Sequence, residues 1–539
     1  MSKGERAEFK WVVVWAVVIV TISSLPYLWG MFCAPPGYHF VGLAHNIDDG
    51  AVYLSWMRQA AGGHFFIKNL FTNDPQAAKQ FNVLFLAMGW FAAITRIPLI
   101  WVFHLFRIVS GFALILCIWQ FSKLFLDDPG ERRLLVPLVG LSSGVGWLIP
   151  NVIAMVGSVD MWQPEANTFL SIYLNPLFLA GLLLMIGVFY WLEITRREGR
   201  ARYAVFAGIH LLLLGNVHTY DVATVGCVWV AYVIVLWIIE RKFPARIVAL
   251  SALAGAIAVP SVAYQFYLYR VDEVYRARAN TPIPSPAIWS FFEGYGVVLL
   301  GAVVGAVLSR KAESGKWKAR LLPVVWGVVG FAVPYIPIAQ QRKLVMGLHI
   351  PLCILCAAGL VVLMRRLPGS LGRMILAAVL LFMVVSNVRF VSNDIRLMGE
   401  GRTVTHYVPY MSVYELSAMR YLRERTEAED VVFAPPTFAL FTPALVGRQV
   451  YYGHWSETPD YDDKYAQWRA LADKSLTVGN WWYIVHDNAG STYYVSEDPR
   501  MDPPAQLNGT YVKKCFEAGN VRIYRIIEPR AQGGENLLQ

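Results

Sequence analysis

The feature that most limits what this chain can become is a series of apolar runs, each of about the length that crosses a bilayer. A spanning helix needs about 20 mostly apolar residues. The first such run is Trp11–Phe32. Further runs lie near 100–122, 134–156, 173–194, 203–219, 222–240, 246–264, 288–308, 320–340, 344–364 and 372–391, which predicts eleven spans. Charged residues make up only 16% of the 539-residue chain, against about 25% in soluble domains. A disordered chain, a collagen and a disulfide-stapled secreted module are excluded, and a polytopic α-helical membrane protein is the fold class expected. A net charge of +10 would suggest nucleic acid as the partner of a soluble protein. Here basic loops on one side of a membrane explain it, so no nucleic acid is expected.

Lys3, Arg6 and Lys10 precede the first run, which predicts a cytoplasmic N-terminus and an uncleaved anchor. Arg132/Arg133, Arg196/Arg197, Arg241/Lys242, Arg310/Lys311 and Arg365/Arg366 follow alternate spans and fall on that same side. Asn82–Thr95 is apolar but short, and counting it as a span would invert every later loop. It is read as a re-entrant or interfacial helix. Two domains follow: a membrane domain over 1–391, with a first outer loop at 33–98, and a soluble outer domain over 392–539. In the second, Tyr414–Arg425 has helical periodicity. Val431–Ala434, Gln449–Tyr452, Trp482–Val485 and Val521–Ile526 read as strands, so a small α/β domain is expected. Cys33 and Cys515 fall on one side of the membrane, but nothing further supports a disulfide between them. Cys353 and Cys356, in an apolar run, read as packing residues.

Ionisable groups near membrane depth are costly and usually line a cavity. In this topology they collect on the outer face. The first outer loop holds Asp48, Asp49, Tyr53 and Asp74, with Val52–Ala61 read as a short surface helix. The second holds Trp162, Gln163 and Glu165. His218, Tyr220 and Asp221 close one helix pair. Arg342, Lys343 and His349 stand at the turn between two later helices, with the first two breaking the positive-inside pattern. Each has a plainer reading: Asp48–Asp49 as a helix cap or solvated turn, the histidines as packed residues, the cations as snorkelling anchors. The tail segment GRQVYYGHWSETPDYDDK, with Arg448, His454, Trp455 and Glu457, reads as a solvated loop rather than a cover over a cavity.

Carboxylates together with cations suit group transfer from an anionic donor. A carboxylate takes the proton of an acceptor hydroxyl, and Arg and Lys neutralise a departing phosphate. No Walker or Rossmann fingerprint appears. A donor that arrives through the membrane, a lipid-phosphate sugar, is therefore the natural candidate.

These residues carry a resemblance. The chain looks like the GT-C superfamily of polytopic glycosyltransferases. Asp48-Asp49 followed by Tyr53 is similar to the D-[DE]-x-x-Y pattern of its protein mannosyltransferase and aminoarabinose transferase branches, and Asp74 resembles a second acidic position there. PEANTFLSIYLNP, HTYD and RKLVMGLHIPL are similar to segments of uncharacterised bacterial relatives. The W-W-D-[YW]-G signature of oligosaccharyltransferases is missing, since Trp481-Trp482-Tyr483 lacks the Asp and Gly, which disfavours glycan transfer to protein Asn.

The resemblance implies a bacterial cytoplasmic-membrane enzyme with its C-terminal domain outside. It moves a sugar from a polyprenyl-phosphate donor to a lipid, glycan or protein acceptor by a single inverting displacement. One of Asp48 and Asp49 would be the catalytic base; Tyr53 spacing favours Asp49 and order within the pair favours Asp48. Arg342, Lys343 and His218 would bind the donor phosphate. Asp74, Glu165, Tyr220, Asp221, His349 and Tyr53 would line the substrate pocket. A divalent ion stays an open alternative, with Asp48, Asp49, Asp74 and Glu165 as its ligands. A transporter or flippase and a non-catalytic membrane scaffold are the other classes.

Overall fold

A computed structural model describes residues 2–149, 157–311, 316–405, 407–473 and 475–527. Among these, eight helices are long and apolar enough to cross a membrane: Lys3–Phe32, Leu99–Ser122, Pro176–Glu198, Asp221–Glu240, Ala245–Val271, Ile288–Leu308, Gln341–Met364 and Gly369–Gly399. Each matches one of the predicted runs. The remaining three runs differ. Ala201–Val217 and Leu321–Tyr335 are apolar but short. The run at 134–156 begins in the 13-residue helix Pro129–Leu141, and its last residues lie outside the described ones.

The chain packs as two compact units. The first takes in residues 1–26, 103–267 and 282–393; the second takes in 27–102, 268–281 and 394–539.

In the first unit, local signals set the helix ends. Pro176–Glu198 starts with Asn175 accepting the Phe178 N–H at 3.0 Å and Pro176 at its first turn. It stops at Gly199, which adopts φ 68°. Small residues let the helices touch. A Cβ on Gly305 would lie 2.0 Å from the Leu355 carbonyl oxygen, and one on Gly359 would lie 2.4 Å from that of Gly301. Ile288–Lys311 and His349–Met364 therefore pack backbone to backbone. At one end, basic residues are tied to their neighbours. Arg132 pairs with Glu8 at 2.7 Å and Arg320 with Glu131 at 2.7 Å. Arg365 pairs with Asp128, Arg197 donates to the Leu124 carbonyl at 2.6 Å, and Arg246 donates to that of Gly199 at 2.6 Å. These bonds tie five basic segments to neighbouring loops, and Arg132 to the start of the first helix.

The second unit joins the predicted outer loop to the tail. Tyr38–Phe40 pairs antiparallel with Tyr410–Ser412. A five-stranded mixed sheet runs in the order Gln449–Val450, Val431–Phe433, Tyr493–Ser496, Val521–Ile526, Val512–Ala518. Its first three strands are parallel and its last three antiparallel. Trp482–Val485 is not a strand. Thr477 accepts the Asn480 N–H at 3.1 Å and caps a helix over Val478–Trp482, which continues to Asn488. The run Trp482–Val485 has strand-like composition, but that cap and a place in the aromatic core win. The helix read as lying on the surface, Val52–Ala61, begins at Ile47 and is mostly buried. It packs on Val83–Thr95, where a Cβ on Gly89 would lie 2.5 Å from the Met57 carbonyl oxygen. All six cysteines are free thiols, Cys33 and Cys515 included.

Candidate active site

The second unit contains the acid pair. Asp48 and Asp49 stand in the first turn of Ile47–Ala61, where the helix dipole favours negative charge. They do not cap the helix: Asn46 holds that position. The Asn46 side-chain amide donates to Asp49 Oδ2 at 2.6 Å. The Trp455 indole N–H donates to Asp48 Oδ2 at 3.1 Å. Asp48 Oδ1 is buried with no hydrogen-bond partner. The Asp48 side chain is 9% exposed and that of Asp49 39%. Burial raises the Asp48 pKa above the ordinary carboxylate value, and the adjacent Asp49 charge raises it further.

His454 completes this group. Its side chain is 0% exposed, and Nε2 lies 3.4 Å from Asp49 Oδ1 and 3.8 Å from Asp48 Oδ2. Its Nδ1 accepts the backbone N–H of Ser456 at 3.1 Å and of Glu457 at 3.3 Å. A nitrogen that accepts two N–H groups carries a lone pair, so the ring proton sits on Nε2 and faces the carboxylates. Burial disfavours a charged ring, but the contact with Asp49 and the Asp48 charge outweigh it and raise the His454 pKa. The two backbone donors at Nδ1 oppose a second proton. We therefore assign a neutral, Nε2-protonated imidazole that faces the pair without closing a hydrogen bond to it.

The tail reaches this position through a tight turn. Thr458 Oγ1 accepts the N–H groups of Gly453 and His454 and donates to the Phe71 carbonyl at 2.6 Å. Glu457 pairs with Arg278 at 3.2 Å, and Arg278 stands over the Trp56 ring at 5.6 Å. The solvated-loop reading of GRQVYYGHWSETPDYDDK is thus overturned: its residues 449–454 are buried and hydrogen-bonded. His454 and Trp455, which stand against the acid pair, are the site residues the sequence reading missed. The only sequence signal was an imidazole and an indole flanked by turn formers, 407 positions from Asp48.

Other predicted residues of this unit take packing roles. Asp74 accepts from Lys464 Nζ at 3.1 Å and from Thr72 Oγ1 at 2.7 Å. Tyr53 is buried and stacked on Phe85, with ring centres 5.0 Å apart. Among the described residues no three His, Cys, Asp or Glu side chains are grouped to hold a metal ion. Asp74, one of the predicted ligands, is already bound by an ammonium group.

The first unit contains the cations. The Arg342 guanidinium stands over the Trp162 ring at 5.3 Å, and Lys343 Nζ over the Tyr220 ring at 5.0 Å. The Gln163 side-chain amide donates to the Arg342 carbonyl at 3.0 Å, and Thr224 Oγ1 to that of Leu344 at 2.9 Å. His218 Nδ1 lies 3.1 Å from the buried Asp221 Oδ2. Arg342, Lys343, Tyr220, His218 and Asp221 are therefore brought together. Glu165 is largely buried in the adjacent Pro164–Ala166 turn. His349 is not part of this group. Its ring is buried against Thr168 Oγ1 at 3.0 Å and Ser142 Oγ at 3.2 Å and stacks on Tyr295, so its polar atoms serve helix packing.

The sequence matches no family model and no curated protein. Its structure is similar to solved ones. ArnT from Cupriavidus metallidurans in the apo state matches with a TM-score of 0.52 at 12% identity, over 95% of this chain and 97% of that one. ArnT bound to undecaprenyl phosphate gives 0.51 at 12% identity with the same coverage. The Archaeoglobus fulgidus oligosaccharyltransferase, tethered with an acceptor peptide, gives 0.52 at 11% identity over 89% of this chain and 69% of that one. The chain is a multi-pass membrane protein with the GT-C fold and a C-terminal strand-containing domain.

Proposed function

We propose that this protein is a membrane glycosyltransferase that moves a sugar from a polyprenyl-phosphate-linked donor to an acceptor hydroxyl. The observation that carries this reading is the acid pair: two adjacent carboxylates, one buried and one partly open, faced by an imidazole whose proton is fixed toward them. Such a group has proton transfer as its natural work. The fold likeness supports the donor class, since one of the similar structures holds undecaprenyl phosphate.

In this reading Asp49 is the base. Two neighbouring carboxyls share protons unequally, and burial leaves Asp48 the more readily protonated. Asp49, with the more exposed side chain, is the one an acceptor can reach. The acceptor oxygen attacks the anomeric carbon as its proton passes to Asp49. The bond from that carbon to the phosphate oxygen breaks, and the phosphate leaves with the electron pair. The configuration inverts. Arg342, Lys343 and His218 are assigned to the departing phosphate, and Asp221 to the substrate pocket. His454 and Trp455 hold the two carboxylates in place.

The test is sugar transfer by the purified protein from a labelled polyprenyl-phosphate donor, comparing wild type with Asp48→Asn and Asp49→Asn. Loss in Asp49→Asn with donor binding retained supports the reading. Full activity in Asp49→Asn ends the base assignment, and full activity in both variants ends the reading.

A further inference from the structure

The second unit also contains a cavity of about 830 Å3 to which neither carboxylate of the acid pair contributes. That size suits a single organic ligand. Leu54, Ile100, Phe441 and Leu445 give it apolar walls. Arg58, Arg96 and Arg448 also line it, and no Asp or Glu does. Cations on an apolar wall normally sit opposite a carboxylate. Here neutral groups hold Arg58 and Arg448 instead. Arg58 Nε donates to the Ala444 carbonyl. Arg448 donates to Thr426 Oγ1 at 3.0 Å and to the Thr426 carbonyl at 2.6 Å. Burial, with the charges of Arg423 and Arg448 beside it, brings the Arg58 guanidinium down to about 10. Like charges with no ion-pair partner among the described residues favour an anion.

The surroundings narrow the choice of anion. Ile97, Leu99 and Ile100 lead into Leu99–Ser122, a helix long and apolar enough to cross a membrane, and they line the same cavity. On the neighbouring Val83–Thr95 helix, Ile94 is 83% exposed and Trp90 44%. An apolar flank with an aromatic edge of this kind suits the bilayer interface. A soluble anion would use the arginines and leave the apolar walls wet. An amphiphile uses both.

We propose that this cavity holds one anionic phospholipid of the surrounding bilayer, its phosphate on Arg58, Arg96 and Arg448 and an acyl chain along Leu54, Ile100 and Phe441. The full-length protein, purified from nanodiscs of mixed phosphatidylglycerol and phosphatidylcholine, is assayed for retained lipid by native mass spectrometry. About one phosphatidylglycerol should be retained, enriched about tenfold over the bulk ratio, as a charge-assisted phosphate contact warrants. Arg58→Gln should bring the retained lipid back to the bulk ratio. Because Arg58 also holds the Ala444 carbonyl, Ala93→Trp is the second variant. It fills the cavity from an exposed position, leaves the arginines intact, and should also abolish retention. Three results overturn the proposal: a bulk ratio in the wild type, enrichment that survives Ala93→Trp, or displacement of the phosphatidylglycerol by equimolar undecaprenyl phosphate. The last would make the cavity a polyprenyl site instead.

Discussion

Two buried carboxylate sites in this molecule follow opposite rules. Glu193, in the first unit, is 1% exposed and saturated. Arg196 grips it through two bonds of 2.8 and 2.7 Å, Arg197 adds one of 2.8 Å, and Tyr232 donates at 3.1 Å. One negative charge meets two positive ones, and both oxygens are used. In the second unit, Asp48 and Asp49 face each other with a neutral imidazole and an indole, and Asp48 Oδ1 has no partner. A saturated carboxylate has no free lone pair for a substrate and gains stability from its donors. A starved pair stores unfavourable charge in the folded state and keeps a lone pair for a proton. The first is scaffold, and the second suits a reactive centre.

Substitution separates the two most sharply. Asp49→Asn removes the proposed base, and kcat should fall by about 10³-fold with KM nearly unchanged, as for loss of a general base. The same protein should not be less stable. Replacing one of two repelling carboxylates relieves the pair, and Asp48→Asn should even raise the thermal midpoint. The sign follows from linkage. The folded-state pKa of Asp48 is raised, so stability is greatest while it holds a proton and falls as pH rises through that pKa. The gain of Asp48→Asn over wild type should therefore grow with pH, which thermal melts in detergent from pH 5 to 9 would show. Glu193→Gln should do the reverse. Transfer activity per folded molecule stays near wild type, while stability drops by about 2–3 kcal/mol because two arginines lose their counter-charge.

His454 tests the comparison from the side of the donors. His454→Asn should lower kcat about tenfold. It should also move the acidic limb of the pH–rate profile to higher pH. His454 Nε2 faces Asp49 Oδ1 at 3.4 Å, so its removal takes away a polar N–H that favours the ionised base. A residue that merely packed the turn would lower activity without moving the limb.

The first unit was largely legible in the sequence, because a lipid environment imposes its rule locally. About 20 apolar residues in a row announce a span wherever they stand. The short helices are harder to read, since Ala201–Val217 and Leu321–Tyr335 fall below that length and are held by neighbours. The acid pair was legible on a local pattern too: Asp48-Asp49 stands in the first outer loop with Tyr53 at the spacing of D-[DE]-x-x-Y, whereas Asp127-Asp128 falls beside the basic residues at the opposite end of its span. Its partners were not. His454 and Trp455 acquire meaning only when Thr458 folds the turn onto Phe71, and no periodicity encodes a contact of that separation. Tyr493–Ser496 and Val512–Ala518 escaped for a related reason. Their pairing with Val521–Ile526 is set by the sheet and not by alternation within each segment.

The smallest effect belongs to a third carboxyl, which shows that starvation alone does not make an active site. Glu497 follows the Tyr493–Ser496 strand, and its Oε1 is buried without a hydrogen-bond partner. Burial, with Glu415 nearby, pushes its pKa up to about 8. No imidazole faces it among the described residues, and its neighbour Glu415 is committed to the capping box of Val413–Arg425. It is starved but isolated, so the cost falls on stability alone. With the folded pKa raised, the domain is most stable while Glu497 is protonated and loses stability as pH passes through about 8. The midpoint of the wild type should fall by about 3 °C between pH 7 and 9, on the scale of roughly 1 kcal/mol for a unit of this size. Glu497→Gln should flatten that slope and leave the pH dependence of transfer untouched. If Glu497→Gln instead shifted the pH–rate profile, the division between a reactive pair and an isolated carboxyl would fail.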